Sequence, residues 1–167
     1  EGGAHFLEHM FYMGTETRRL GQLRDEIMDR GGSCNGLTDY DRTEYWALVR
    51  SEDFDLAMDG LADGARNVLV KPEDVERERN IILDEIRQRI DDPQMFARED
   101  AAALAFHPHP YARRRDGTAD SITRMGREDL AGIYRRHFRP DRLVLVITGD
   151  VDRERALAAV KAKFGTM

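Results

Sequence analysis

Only three short runs of this 167-residue chain have the composition of a β-strand. Almost everything between them carries apolar residues at the three- and four-residue spacing of a helix. The runs are 33–38, 43–50 and 142–148. Tyr45, Trp46, Leu48 and Val49 supply the aromatic and β-branched content that suits a strand. The first two runs flank a polar stretch, Asp39 to Arg42, and predict a hairpin. The third, with Leu143-Val144-Leu145-Val146-Ile147, predicts a buried strand that Gly149-Asp150 turns into a last helix. Helices are predicted over 4–13 (Phe6, Met10, Met13), 17–30 (Leu20, Leu23, Ile27, stopped by Gly31-Gly32) and 53–70. Pro72 with Glu73 and Asp74 opens another to about Ile90, because proline and acids suit a first turn. Further helices follow over 94–106, 120–125, 127–137 and 153–164. His107-Pro108-His109-Pro110 predicts an extended loop. Few strands among many helices predict an α+β fold, a mostly antiparallel sheet with helices packed on one face.

Composition narrows the function classes. The net charge is −6, so the chain lacks the basic excess that phosphate-backbone binding needs, and no nucleic-acid partner is expected. No apolar run approaches the ~20 residues of a membrane-spanning helix, which predicts a soluble domain. The single cysteine, Cys34, excludes an internal disulfide and a cysteine zinc cage. It leaves the compartment open, bacterial cytoplasm and periplasm alike. Repeats, low-complexity stretches and linkers are absent, so residues 1–167 are expected to form one domain. Glu1-Gly2-Gly3 and Gly165-Thr166-Met167 both read as internal cuts, and a fragment of a longer chain is expected.

The chemistry sits in the first predicted helix, in His5-Phe6-Leu7-Glu8-His9. Histidines four apart share one helix face, the geometry by which two imidazoles chelate one ion. Glu8 projects near that face. A carboxylate beside a metal site, but not a ligand, can serve a metallopeptidase as general base. The order H-x-x-E-H is the inverzincin pattern. The bland alternative is a helix with two solvated histidines and a salt-bridged glutamate.

Catalytic zinc takes three protein ligands and keeps one open position. His107, His109 and His137 are candidates for the third by type alone. The helix after Pro72 is the better source, because Glu78, Ile82 and Glu85 fall on one face. Glu78 and Glu85 lie two turns apart, ~10.5 Å along the axis. One ion cannot take both directly; the other would orient a histidine. Spacing does not choose between them, and Arg77, Arg79, Arg87 and Arg89 also allow a plain solvated, salt-bridged helix.

With these residues in place, the chain resembles the pitrilysin/insulinase family of zinc metallopeptidases, which includes the mitochondrial processing peptidase. His5-Phe6-Leu7-Glu8-His9-Met10 with Gly14-Thr15 looks like that family's zinc helix. Glu78-Arg79-Asn80-Ile81-Ile82-Leu83-Asp84-Glu85 resembles its second signature. The resemblance implies one Zn²⁺ held by His5, His9 and Glu85, Glu78 as an auxiliary carboxylate, and Glu8 as the catalytic base. Gly31 to Thr38 is similar to the family's substrate-pairing edge strand. That implies that Asn35, Gly36, Leu37 and Thr38 bind a peptide as an added strand. Gly36 stands where the family commonly has alanine, which weakens the strand locally. His109-Pro110-Tyr111, Gly117 and Thr148-Gly149-Asp150-Val151 also look like family landmarks. The fold implied is the family's metal-binding domain, without its upstream strands and without the second family domain or subunit that closes the site.

The function expected is therefore a zinc endopeptidase domain. The rival is a non-catalytic scaffold subunit of the same family; such members typically lose a ligand or the base, and all four positions are present here. A third alternative, coincidence on an ordinary α+β domain, has the second signature against it. Cys34 is expected to be a buried structural thiol rather than a reactive one. Arg113 to Arg115 read as a solvated surface run without a role.

Overall fold

The computed structural model describes all residues, 1–167. Its one sheet is a two-stranded antiparallel hairpin, β1 (Ser33–Thr38) and β2 (Thr43–Leu48). The polar turn closes with Asp39 N–H donating to the Arg42 carbonyl at 2.8 Å. Eight α-helices account for most of the remaining chain: α1 (Gly3–Phe11), α2 (Gln22–Met28), α3 (Phe54–Asn67), α4 (Pro72–Ile90), α5 (Pro93–Phe106), α6 (Ala119–Arg124), α7 (Arg127–His137) and α8 (Arg153–Phe164). The architecture is α+β, mostly helical, with a small antiparallel sheet.

Local chemistry explains the boundaries. Lys71 and Pro72 start α4, with Glu73 and Asp74 in its first turn and Arg87 and Arg89 in its last, each complementing the helix dipole. Asp92 caps α5 by accepting from the Gln94 and Met95 amides. A reciprocal capping box, Thr118 with Ser121, opens α6. Asp152 caps α8 through the Arg155 amide.

The chain forms two compact units. One comprises 1–10, 37–44 and 70–133. Its core is Phe6, Leu7 and Met10 of α1, Val75, Ile82 and Ile86 of α4, and Ile122 and Leu130 of α6 and α7, all buried. The start of α1 lies tight against the loop before α6. Gly2 has φ +80°, and a Cβ there would sit 2.7 Å from the Asp116 carbonyl oxygen and 2.9 Å from Gly117 Cα. Only glycine fits that contact. The other unit comprises 11–36, 45–69 and 134–167. Phe11, Tyr12, Leu23 and Ile27 form its core, with Cys34, Tyr45 and Phe138 packed on it. Helix α8 is tied to α3 by Arg155–Asp55 and Lys163–Asp59.

Two expected elements differ. The helix expected over 17–30 begins only at Gln22, after Gly21 at φ +73°. The hydroxyl of Thr15 accepts from the amides of Thr17 and Arg18, and Asp63 of α3 takes hydrogen bonds from Thr15, Thr17 and Arg18. Capture of those groups competes with the first helical turn. The strand expected over 142–148 is also not formed. A turn over Pro140–Arg142 leads into an extended segment with no ladder, where Val144 is 88 % and Val146 78 % exposed. A strand needs a neighbour for its backbone groups, and no segment of this chain pairs there.

Candidate metal centre

Helices α1 and α4 bring together the groups that the two sequence signatures contain. One nitrogen each of His5 and His9 and one carboxylate oxygen of Glu85 all lie within 4.8 Å of one another. Glu85 Oε2 is 3.6 Å from Nε2 of both histidines. The two rings stand at 86° to each other with centroids 4.8 Å apart, so their Nε2 atoms converge without stacking. Ligand atoms around a tetrahedral zinc ion are about 3.3 Å apart, given bonds of ~2.0 Å. The His–His–Glu set fits such an ion after a small contraction.

Both histidines turn their other nitrogen away from that point. His9 Nδ1 is 3.0 Å from Glu78 Oε2, and the Glu78 side chain is 4 % exposed. Glu78 and Glu85 thus reach the same imidazole from two turns of α4, one at each ring nitrogen. With Nδ1–H donated to Glu78, Nε2 is the nitrogen turned towards Glu85 and the one open to a metal once its proton is lost. His5 Nδ1 is buried without a hydrogen-bond partner. The carboxylate across from it is Asp116, at 3.7 Å.

Electrostatics separate the two rings. Burial, with the cationic His9, Arg89 and Arg115 nearby, lowers the His5 pKa to about 4 despite the pull of Glu85. Burial alone would lower His9 too, but the Glu78 and Glu85 carboxylates outweigh it and raise its pKa to about 9. The His9 imidazolium, in turn, holds Glu85 below the usual carboxylate range against the effect of burial. A metal needs neutral imidazoles, so occupancy would displace the His9 proton.

Glu8, on the same helix, makes no ion pair with either histidine. Its Oε2 is buried and has no hydrogen-bond partner. A carboxylate oxygen kept from water and left without a donor is suited to receive a proton from a bound molecule.

The remaining predicted groups lie elsewhere. His107, His109 and His137 join no group of three metal-competent side chains. His109 Nδ1 accepts from the Tyr111 amide, and His137 Nδ1 pairs with Arg142. Asn35, Gly36, Leu37 and Thr38 all lie in β1, whose pairing with β2 leaves its other edge without a strand of this chain. Asn35 and Leu37 are exposed and Thr38 is buried. Burial pushes the half-buried Cys34 thiol up, which fits an unreactive group.

Sequence reasoning missed Asp116 and misread its neighbours. Arg114 is paired with Glu99 and Asp100, and Arg115 with Asp116, so neither is freely solvated. Asp116 also pairs with Arg89 of α4. No spacing rule ties a loop aspartate to a histidine at the other end of the sequence. The one available signal was an acid placed directly after three arginines and before a glycine.

Residues 1–119 match the family model for Insulinase (Peptidase family M16). The chain belongs to this family. Residues 124–167 match the model described as Peptidase M16 inactive domain. A relative from Mycobacterium leprae, described as an uncharacterised zinc protease, is 36 % identical over 165 residues. The match covers 99 % of this chain but 37 % of that protein, so the chain spans well under half the length of this relative. A protease from Helicobacter pylori has the same fold, with TM-score 0.93 and 24 % identity over 100 % of this chain and 41 % of that one. Pitrilysin also has it, with TM-score 0.87 and 24 % identity over 98 % of this chain and 18 % of its own. No helix of this M16 chain is long and apolar enough to cross a membrane.

Proposed function

We propose that residues 1–167 act as the zinc-bearing domain of an endopeptidase, with His5, His9 and Glu85 as ligands of one Zn²⁺ and Glu8 as general base. The observation that carries this reading is the convergence of three donor atoms within 4.8 Å, with Glu8 on the same helix as both histidines and its Oε2 buried without a hydrogen-bond partner. When bound, zinc supplies a Lewis acid that polarises a peptide carbonyl and acidifies water.

The chain's own residues do the rest. Glu78 holds the His9 ring through Nδ1. Glu8 takes the proton of the attacking water, then passes it to the leaving amine. The peptide binds as a strand added to β1 at Asn35, Gly36, Leu37 and Thr38, through backbone hydrogen bonds that tolerate many sequences. A second family domain or subunit encloses the substrate and supplies side-chain selectivity. The alternative, a non-catalytic scaffold, is disfavoured because Glu8 and all three candidate ligands are kept.

The test pairs metal content with turnover in the full-length protein. Mass spectrometry after dialysis should find one zinc in the wild type and none in His9→Ala. Glu8→Gln should keep zinc and lose on the order of 10² to 10⁴ in peptide hydrolysis. A folded wild type without zinc overturns the ligand set. Hydrolysis by Glu8→Gln at the wild-type rate overturns the base. A wild type that binds zinc and cleaves no peptide supports the scaffold.

A further inference from the structure

Helix α4 directs Glu78, Glu85 and Arg89 to one side, at spacings of seven and four. Glu78 serves His9, and Glu85 faces both histidines. Arg89 reaches past them to Asp116. That aspartate has a side chain only 1 % exposed and is held from two directions, by Arg89 and by Arg115 at 2.9 Å. Its main chain is locked against the start of α1 by the glycine contact at Gly2. The carboxylate is therefore fixed in place before any ligand arrives.

His5 has the complementary defect. Its Nδ1 is buried and has no hydrogen-bond partner, and Asp116 Oδ1 lies 3.7 Å away. That is about 0.7 Å beyond a good N–H···O bond, a gap that a small ring movement closes. Metal-bound histidines almost always donate their second N–H to a carboxylate, carbonyl or water, and His9 already has such a partner in Glu78.

We propose that Asp116 is the positioning residue for His5. It accepts from His5 Nδ1–H, fixes that tautomer, and so presents Nε2 towards His9 Nε2 and Glu85. Arg89 and Arg115 keep the aspartate oriented and offset the cost of burying its charge. The two histidines are then served symmetrically, His9 by a glutamate of α4 and His5 by an aspartate of the loop before α6. This inference rests on the assignment of His5, His9 and Glu85 as zinc ligands.

The experiment uses the full-length protein, with wild-type zinc stoichiometry measured first. Absence of zinc in the wild type overturns the ligand assignment itself, an outcome separate from any effect of Asp116. Given one zinc in the wild type, Asp116→Asn should weaken zinc binding about 10- to 100-fold in chelator competition. In ¹⁵N-histidine-labelled, zinc-loaded protein, the His5 Nδ1–H resonance should shift while that of His9 stays. A purely structural aspartate would lower the melting temperature of the metal-free protein and leave both readouts unmoved. Zinc affinity within about twofold of wild type, in a folded variant, overturns the proposal. If Asp116→Asn does not fold, the wild type alone decides. A hydrogen-bonded, slowly exchanging His5 Nδ1 proton supports the assignment, and a freely exchanging one overturns it.

Discussion

His9 Nδ1 lies 3.0 Å from Glu78 Oε2, and the Glu78 side chain is buried. The pair couples the orientation of a candidate metal ligand to a residue 69 positions later in the chain. Glu78→Gln keeps the shape and removes the charge that faces the ring. Zinc affinity should fall about 10- to 100-fold, measured by chelator competition, with the fold retained by circular dichroism.

Glu85 faces Nε2 of both histidines at 3.6 Å, whereas Glu78 faces only Nδ1 of one. The two glutamates should therefore differ in kind. Glu85→Ala should remove zinc outright, where Glu78→Gln only weakens it. Equal zinc loss in the two variants, read by mass spectrometry after dialysis, would contradict the division of roles.

Asp63 provides a pH prediction away from the centre. Burial pushes its carboxyl up, but hydrogen bonds from Thr15, Asn67, Thr17 and Arg18 together hold it below the ordinary carboxylate value. A depressed folded pKa means stability that is fully present above the unfolded value, ~3.9, and lost as pH falls through the folded one. Asp63→Asn should cost about 3 kcal/mol at neutral pH, the scale of a broken buried ion pair. The gap to wild type should narrow below about pH 4. Urea denaturation at both pH values checks the sign.

Gly64 lies on α3 directly under Phe11, where a Cβ would come 2.3 Å from Cζ. Alanine is the better helix former, yet this contact is a rigid ring rather than a flexible chain end. Gly64→Ala should destabilise by about 1 to 3 kcal/mol through overpacking, against a propensity gain of about 1. A thermal melt above wild type would show that Phe11 can move aside.

The proposed pairing of substrate with β1 would rest on backbone groups. N-methylation of alternate amides in a cleaved peptide should raise KM strongly in one register and weakly in the other. Equal effects in both registers would point to side-chain recognition.

Much of the helical pattern was legible in the chain itself. The proline and first-turn acids of α4 and the two hairpin runs are short-range signals. The spacing of His5, Glu8 and His9 is another, because a helix converts sequence separation directly into a shared face. The paired signatures also carried the family. Interactions between distant segments were beyond that reach. Asp63 captured the residues expected to start α2 earlier, and Leu143 to Thr148 stayed extended without a partner strand. The opposed placement of Glu78 and Glu85 on His9, and of Asp116 on His5, depended on how α1, α4 and the loop before α6 pack. Local spacing determined which side chains could share a face. Only packing decided which nitrogen met which carboxylate, because that depends on the angle and depth at which separate helices meet.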